Sequence, residues 1–218
     1  VDTNASTTQT ECAIGTYQPG TGQSSCIDAD AGNYVGSTGQ ISQAECTIGT
    51  YQSTTGQSSC IDADAGNYVG STGQISQAEC TIGTYQSTTG QSSCIDADAG
   101  YYVDADASTT QTECAIGTYQ STTGQSSCVD TDAGYYADTN ASTTQTECAI
   151  GTYQSTTGQS SCIDADAGNY VDTNASTTQT DCALGTYQSA TGQSSCVDAD
   201  PGNYVDTNAS TTQTECAL

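Results

Sequence analysis

A tandem array of small, disulfide-rich all-β modules is the fold class the sequence predicts, on three observations. A tyrosine returns every 17 residues, from Tyr17, Tyr34 and Tyr51 through to Tyr204, and each follows a glycine by two residues. The cysteines alternate gaps of 14 and 20 from Cys12 to Cys216. No run shows helical spacing; short β-type pieces such as IGTYQ and NYV are separated by Gly, Ser and Thr turns. Together these define a unit of 34 residues made of two related 17-residue halves. Self-similarity at a fixed period marks a repeat array in which each unit mainly contacts its neighbours. The expected form is an elongated array, with a β-solenoid as the alternative.

The repeat boundaries follow the cysteines. A partial repeat over 1–11 precedes repeats at 12–45, 46–79, 80–113, 114–147, 148–181 and 182–215, and 216–218 begins another. Val1 falls at the same phase as Val35, Val171 and Val205, inside a module, so the chain is expected to be a segment of a longer array. Cysteine stands five residues before Tyr17 but eight before Tyr34. That offset of about 10 Å along an extended strand argues against a uniform 17-residue β-solenoid with stacked cysteines.

Composition narrows the class. The 218 residues include no Lys, Arg or His and 25 acidic residues, for a formal charge of −25; Phe, Trp and Met are also absent. The hydrophobic fraction is 33%, below the ~45–50% of an ordinary globular domain. Such a chain cannot build one large core. Thirteen evenly placed cysteines supply what the core lacks, because small core-poor units are stapled by disulfides that persist in oxidising compartments. An extracellular or cell-surface location is expected. Without a basic side chain there is no counterion-releasing contact to phosphate, so nucleic acid is excluded as a partner, and attraction to anionic lipid fails likewise. No stretch of 18 apolar residues exists for membrane insertion within this segment.

Variation among copies reports local backbone. Pro19-Gly20 replaces the Ser-Thr of other copies, which requires a turn that accepts a fixed φ near −65°. Pro201 stands where Ala167 does one repeat earlier, just before Gly202, so that amide is not needed in a ladder and Asp200 is expected to be extended. The tyrosine is read as the core of each module, being the largest apolar side chain present, with a sugar-stacking platform as the lesser alternative. The glycine before it allows close backbone approach or positive φ.

The cysteine spacing permits two pairing frames. One joins Cys12–Cys26, Cys46–Cys60, Cys80–Cys94, Cys114–Cys128, Cys148–Cys162 and Cys182–Cys196, leaving Cys216. The other joins Cys26–Cys46 onward and leaves Cys12. Loop-closure entropy, about 3.0 against about 3.3 kcal/mol, does not separate them. Zinc is disfavoured because there is no His and no cysteine pair at short ligand spacing.

The stretch CAIGTYQSTTGQSSC, with Cys148, Gly151, Tyr153 and Cys162, resembles the cysteine-rich module of tumour-necrosis-factor receptors and the ephrin-receptor-like repeats. It is also similar to tandem cysteine-rich repeats of secreted and surface microbial proteins. The likeness covers the first half of each unit; the second, where Gly168 lies six residues after Cys162, follows the pattern only loosely. Those families place Pro after the first Cys and use more cysteines per module, whereas Ala149 or Thr81 follows here. The resemblance therefore implies an elongated disulfide ladder closed in the 14-residue frame, and does not extend to receptor ligand binding.

Three further patterns suggest chemistry. Asp-x-Asp before a turn glycine occurs at Asp28/Asp30, Asp62/Asp64, Asp96/Asp98, Asp130/Asp132, Asp164/Asp166 and Asp198/Asp200. Residues two apart on extended backbone share a face, so these pairs are candidate calcium ligands, against the plainer reading of solubilising and turn-forming charge. Asn-Ala-Ser sequons stand at Asn4, Asn140, Asn174 and Asn208, all at one phase, and imply exposed loops in a secreted, N-glycosylated protein. Eleven Ser and Thr in 148–181 also fit O-glycosylation. With no His or Lys, the usual general bases and amine nucleophiles are gone, and no enzyme activity or required cofactor is expected.

Residues 26–59 and 60–93 are identical, and identical copies set length, valency or a lattice repeat rather than diversified sites. The expected function is structural: a fibre, stalk or surface-layer element that self-associates into a filament or array, acidic, disulfide-stabilised and glycan-coated. A calcium-dependent adhesion or receptor-like ectodomain is the alternative.

Overall fold

The computed structural model describes residues 8–217, in which the only regular elements are short strands. Each 17-residue half folds into one hairpin. In the first repeat β1 (Thr16–Tyr17) pairs antiparallel with β2 (Ile27–Asp28), and β3 (Asn33–Tyr34) with β4 (Ala44–Glu45). The register is the same in both halves, Tyr17 facing Ile27 and Tyr34 facing Ala44. Twelve such two-stranded sheets follow one another among the described residues. The chain divides into two compact units, one of residues 1–96 with 103–111 and the other of 97–102 with 112–218.

A β-turn opens every hairpin. The Thr16 amide donates to the Ala13 carbonyl at 3.1 Å, and Gly15 between them has φ +82°. An i→i+3 bond with positive φ at the third residue is a type II turn. Pro201 takes the second position of the equivalent turn, where its fixed φ is favoured and its missing N–H costs nothing; the Asn203 amide still bonds the Asp200 carbonyl at 2.9 Å.

Backbone hydrogen bonds join one hairpin to the next within each unit. The Gly49 amide donates to Val69 O at 2.8 Å, Gln52 to Gln74 O at 3.0 Å, and Gly56 back to Ala29 O at 2.7 Å. In the second unit Gly151, Gln154 and Gly158 bond Val171, Ser176 and Thr131 likewise. The glycine before each tyrosine meets both demands read from the sequence. It sits at positive φ, and a Cβ on Gly49 would collide with the carbonyl of Gly90, two hairpins on.

This close approach decides what is buried. Cys46, Cys80, Cys114, Cys148 and Cys182 are fully buried, and Ala63, Ala97, Thr131 and Ala165 fill the same place in the alternate hairpins. Val69 or Gln52 is buried one position after the tyrosine. The tyrosines are not core: Tyr17 through Tyr187 are half-buried and Tyr204 is 44% exposed. A 17-residue hairpin is too thin to enclose a ring once its neighbours approach at backbone distance, so small side chains line the contact and the ring is left at its edge.

Cysteine and Tyr are not offset in the way the raw spacing suggests. Cys26 closes the hairpin that begins at Cys12 and does not open the next, so both halves share one fold and only alternate hairpins carry a disulfide.

A second left-handed position lies in each hairpin loop. Glycine occupies it at Gly56, Gly73 and Gly90, but Ala107, Ala141, Ala175 and Ala209 hold φ of 54° to 55°. Left-handed Ala costs ~1–2 kcal/mol relative to its ordinary conformation, partly offset by Ala's smaller unfolded-state entropy. Replacing Ala175 with Gly should therefore raise stability by about 0.5–1 kcal/mol in urea titrations. Gly134→Ala, whose Cβ would strike the Ala175 carbonyl, should lower it by more than that. A drop in midpoint for Ala175→Gly would contradict the backbone assignment.

Candidate functional site

The functional surface is built by two kinds of hairpin. The cysteine hairpins, such as 46–62, are closed by disulfides Cys12–Cys26, Cys46–Cys60, Cys80–Cys94, Cys114–Cys128, Cys148–Cys162 and Cys182–Cys196, each with Cα atoms 5.7 Å apart. Cys216 is a free thiol. In these hairpins a buried glutamine pins the loop: Gln52 Nε2 donates to Ser59 O at 2.9 Å, and its Oε1 accepts from the Thr54 amide and hydroxyl at 3.2 and 3.1 Å.

The alternate hairpins, such as 63–79, have no disulfide. At the place of the second cysteine stands Gln77, whose Oε1 accepts the Asp64 amide at 2.7 Å while its Nε2 donates to Asp64 Oδ2 at 2.7 Å. The same two-point clamp joins Gln43 to Asp30, Gln145 to Asp132, Gln179 to Asp166 and Gln213 to Asp200. A charge-assisted hydrogen bond here does the closing work of a covalent one. Nothing in the spacing of Gln and Asp, 13 residues apart, signals this; only superposing the two halves does.

The Asp-x-Asp pairs are thereby divided. Asp64 is engaged by Gln77, whereas the carboxyl of Asp62, on the preceding strand, lies 3.5 Å from where a Cβ on Gly90 would be. Asp28, Asp130 and Asp164 lie in the same way against Gly56, Gly158 and Gly192. Asp96 and Asp198 lie on the matching strands. Asp98, the second member of its pair, opens the turn before Tyr101, its carbonyl accepting the Tyr101 amide at 3.0 Å. The two carboxylates of a pair therefore have different surroundings. The first carboxylate belongs to a strand beside a neighbouring loop, and the second belongs to the turn that follows. Among the described residues no three Cys, Asp or Glu side chains gather into a metal-holding group.

The sequons at Asn140, Asn174 and Asn208 lie in exposed loops; Asn4 falls outside the described residues. Each is followed by the left-handed Ala, and the sequon serine folds back, Ser176 Oγ donating to Thr173 O at 2.9 Å. Asn174 Oδ1 accepts the Ile150 amide at 3.2 Å, as Asp106 Oδ1 accepts that of Ile82 at 3.0 Å. At Asn174 and Asp106 the side chain at this phase therefore caps an earlier hairpin through its oxygen.

Shallow clefts recur beside the tyrosines. One of about 260 Å³ is lined by Tyr68, Glu79, Thr81, Thr84, Ser93 and Cys94. Another, of about 500 Å³, uses Tyr170, Asp181, Thr186, Ser195 and Cys196 at the same phase three repeats later, and adds Asp172. The sequence pattern did not reveal these, since each is shared by two successive hairpins.

The model of the tyrosine-protein kinase ephrin type A/B receptor-like family matches residues 134–182, a stretch that contains the Cys148–Cys162 hairpin and ends at Cys182. The chain is thus a tandem of cysteine-rich repeats resembling the ephrin-receptor-like module. No curated protein matches it.

Two outcomes test this site description. The variant Ala63→Cys/Gln77→Cys should form a seventh intrachain disulfide, because positions 63 and 77 match 46 and 60 in register. Peptide mapping under non-reducing conditions should recover a covalent link between positions 63 and 77; free thiols at both would contradict the equivalence. Protein from its native source should exceed the 22.1 kDa polypeptide by sugar increments at Asn140, Asn174 and Asn208. Unmodified asparagines at all three would remove the N-glycan expectation.

Proposed function

We propose that the chain is an extracellular structural repeat element that self-associates side by side into a fibre, stalk or surface layer. The observation that carries this reading is a periodic apolar surface on the cysteine hairpins. Ile48 is 52% exposed and Ile61 46%, and Ile14, Ile27, Ile82 and Ile95 repeat these two positions within the first unit. Ile116, Val129, Ile150, Ile163, Leu184 and Val197 do so in the second. The alternate hairpins place Ala65 and Ala78 at the corresponding sites, and in the first unit also expose Ile41 and Ile75 at a different position.

Singly exposed isoleucines are ordinary. Their repetition at one phase of near-identical modules within a unit is different, because a second copy in register matches several contacts at once, and weak contacts then add as avidity. Mutual repulsion of chains bearing −25 opposes this and is screened by salt. Six disulfides support an oxidising, extracellular compartment, as does the ephrin-receptor-like match. No helix among the described residues is long and apolar enough to cross a membrane. A non-catalytic role fits a chain without His or Lys.

Sedimentation velocity at ~0.15 M and at ~1 M salt, where the Debye length falls from ~8 to ~3 Å, tests the proposal. The parent chain should associate increasingly with salt and concentration. Replacing Ile48, Ile61, Ile82 and Ile95 with Ser should weaken association without changing the melting temperature by more than a few degrees. A parent chain that stays monomeric at high salt and high concentration would overturn the reading.

A further inference from the structure

The clefts beside Tyr68 and Tyr170 have a chemistry that self-association does not use. Each combines a half-buried tyrosine ring, a carboxylate and two or three hydroxyl side chains at the junction of an alternate hairpin with the next cysteine hairpin. In the first unit the wall is Tyr68 and Glu79 on one side and Thr84, Ser93 and the Cys80–Cys94 bridge on the other. The second unit repeats it with Tyr170, Asp181, Thr186, Ser195 and the Cys182–Cys196 bridge. Asp172 adds a second carboxylate there, at the position of Gly70 in the first unit.

Carboxylates at this phase differ in whether the protein already engages them. Glu11 accepts from Thr38 Oγ1 at 3.2 Å and Glu45 from Thr72 Oγ1 at 3.0 Å. After Glu79 and Asp181 the corresponding residues are Asp106 and Asn208, which carry no hydroxyl. Neither Glu79 nor Asp181 therefore has the threonine partner of Glu11 and Glu45. In one repeat the carboxylate instead meets a second ring, Tyr101 Oη reaching Glu113 Oε1 at 3.5 Å.

We infer that these clefts each receive a lysine or arginine side chain from a basic segment of a partner protein. A cation over a tyrosine ring is attracted by its quadrupole, and a carboxylate beside the ring gives the same cation a hydrogen-bonded counter-charge. The chain has no Lys, Arg or His of its own, so no internal cation competes for the 25 carboxylates. For the same reason a second copy of this chain cannot be the occupant. The volumes, about 260 and 500 Å³, are large enough for a side chain, the first lying below and the second within the ~300–1,000 Å³ of small-molecule sites. The net charge steers a basic partner inward over longer range.

Titration of the full, disulfide-intact chain with a peptide of alternating Arg and Gly, followed by calorimetry and by the tyrosine ring resonances, tests the inference. Binding at ~0.15 M salt should shift the rings of Tyr68 and Tyr170, and an equal-length Gly-citrulline peptide should not bind. Tyr68→Leu/Tyr170→Leu keeps the charge at −25 and should weaken binding about threefold or more per site. Glu79→Gln/Asp181→Asn, at exposed positions that the fold does not use, should weaken it comparably and keeps the test valid if the tyrosine variant unfolds. Binding unchanged in the carboxamide variant, or unchanged in a folded tyrosine variant, would show diffuse attraction to the acidic surface and overturn the site. A neutral glucose tetrasaccharide that moved the same ring resonances while the Arg peptide did not would overturn it too, in favour of a saccharide.

Discussion

The backbone at Gly49 lies so close to the carbonyl of Gly90 that no side chain can stand between them, and the same approach recurs at Gly66 with Ala107, Gly117 with Gly158 and Gly151 with Gly192. Most features of the molecule depend on that contact. Successive hairpins stand at backbone distance, so their amides reach across to each other's carbonyls, as Gly49 does to Val69 and Gly56 to Ala29. Burial is then reserved for small or slender groups: a half-cystine, an alanine, a valine or a fully hydrogen-bonded glutamine. Large apolar side chains remain outside, which is why isoleucines and tyrosines decorate the surface of a chain that has few apolar residues to begin with.

Within that frame the two halves of a repeat solve one problem by different means. A two-residue strand pair is not stable alone, and its ends need to be tied. The cysteine hairpin uses a bond that lowers unfolded-state entropy by ~3 kcal/mol for a loop of this length. The alternate hairpin uses Gln77 and Asp64, donor and acceptor in both directions. Such a clamp has a net worth nearer ~1.5–3 kcal/mol because one partner is charged. Alternating the two gives a chain that still has a hydrogen-bonded closure at every second hairpin if its disulfides are reduced.

Much of this was legible in the sequence. The 17-residue tyrosine period marks the hairpin, Pro201 and Gly202 mark the type II turn, and the glycine two before each tyrosine marks both positive φ and close approach. The place of the tyrosine was not legible. Composition makes it the obvious core residue, yet burial here is set by interhairpin distance, which no local pattern encodes. The kinship of the halves was legible too, but the offset between Cys and Tyr, five residues before Tyr17 and eight before Tyr34, overstated their difference, because Cys26 ends one hairpin and does not open the next. The clefts at Tyr68 and Tyr170 join residues from successive hairpins, which the pattern of a single hairpin does not show.

The claim beneath all of this is that hairpins are joined by backbone hydrogen bonds from the regularly spaced glycines within each unit. Native-state hydrogen exchange of individual amides measures it directly. The account predicts that Gly49 and Gly56, which donate to Val69 and Ala29 at 2.8 and 2.7 Å, exchange only through opening of several hairpins together, orders of magnitude more slowly than the amide of exposed Ser53. Exchange of Gly49 and Gly56 as fast as that of Ser53 would mean that the hairpins are independent beads, and would contradict the account.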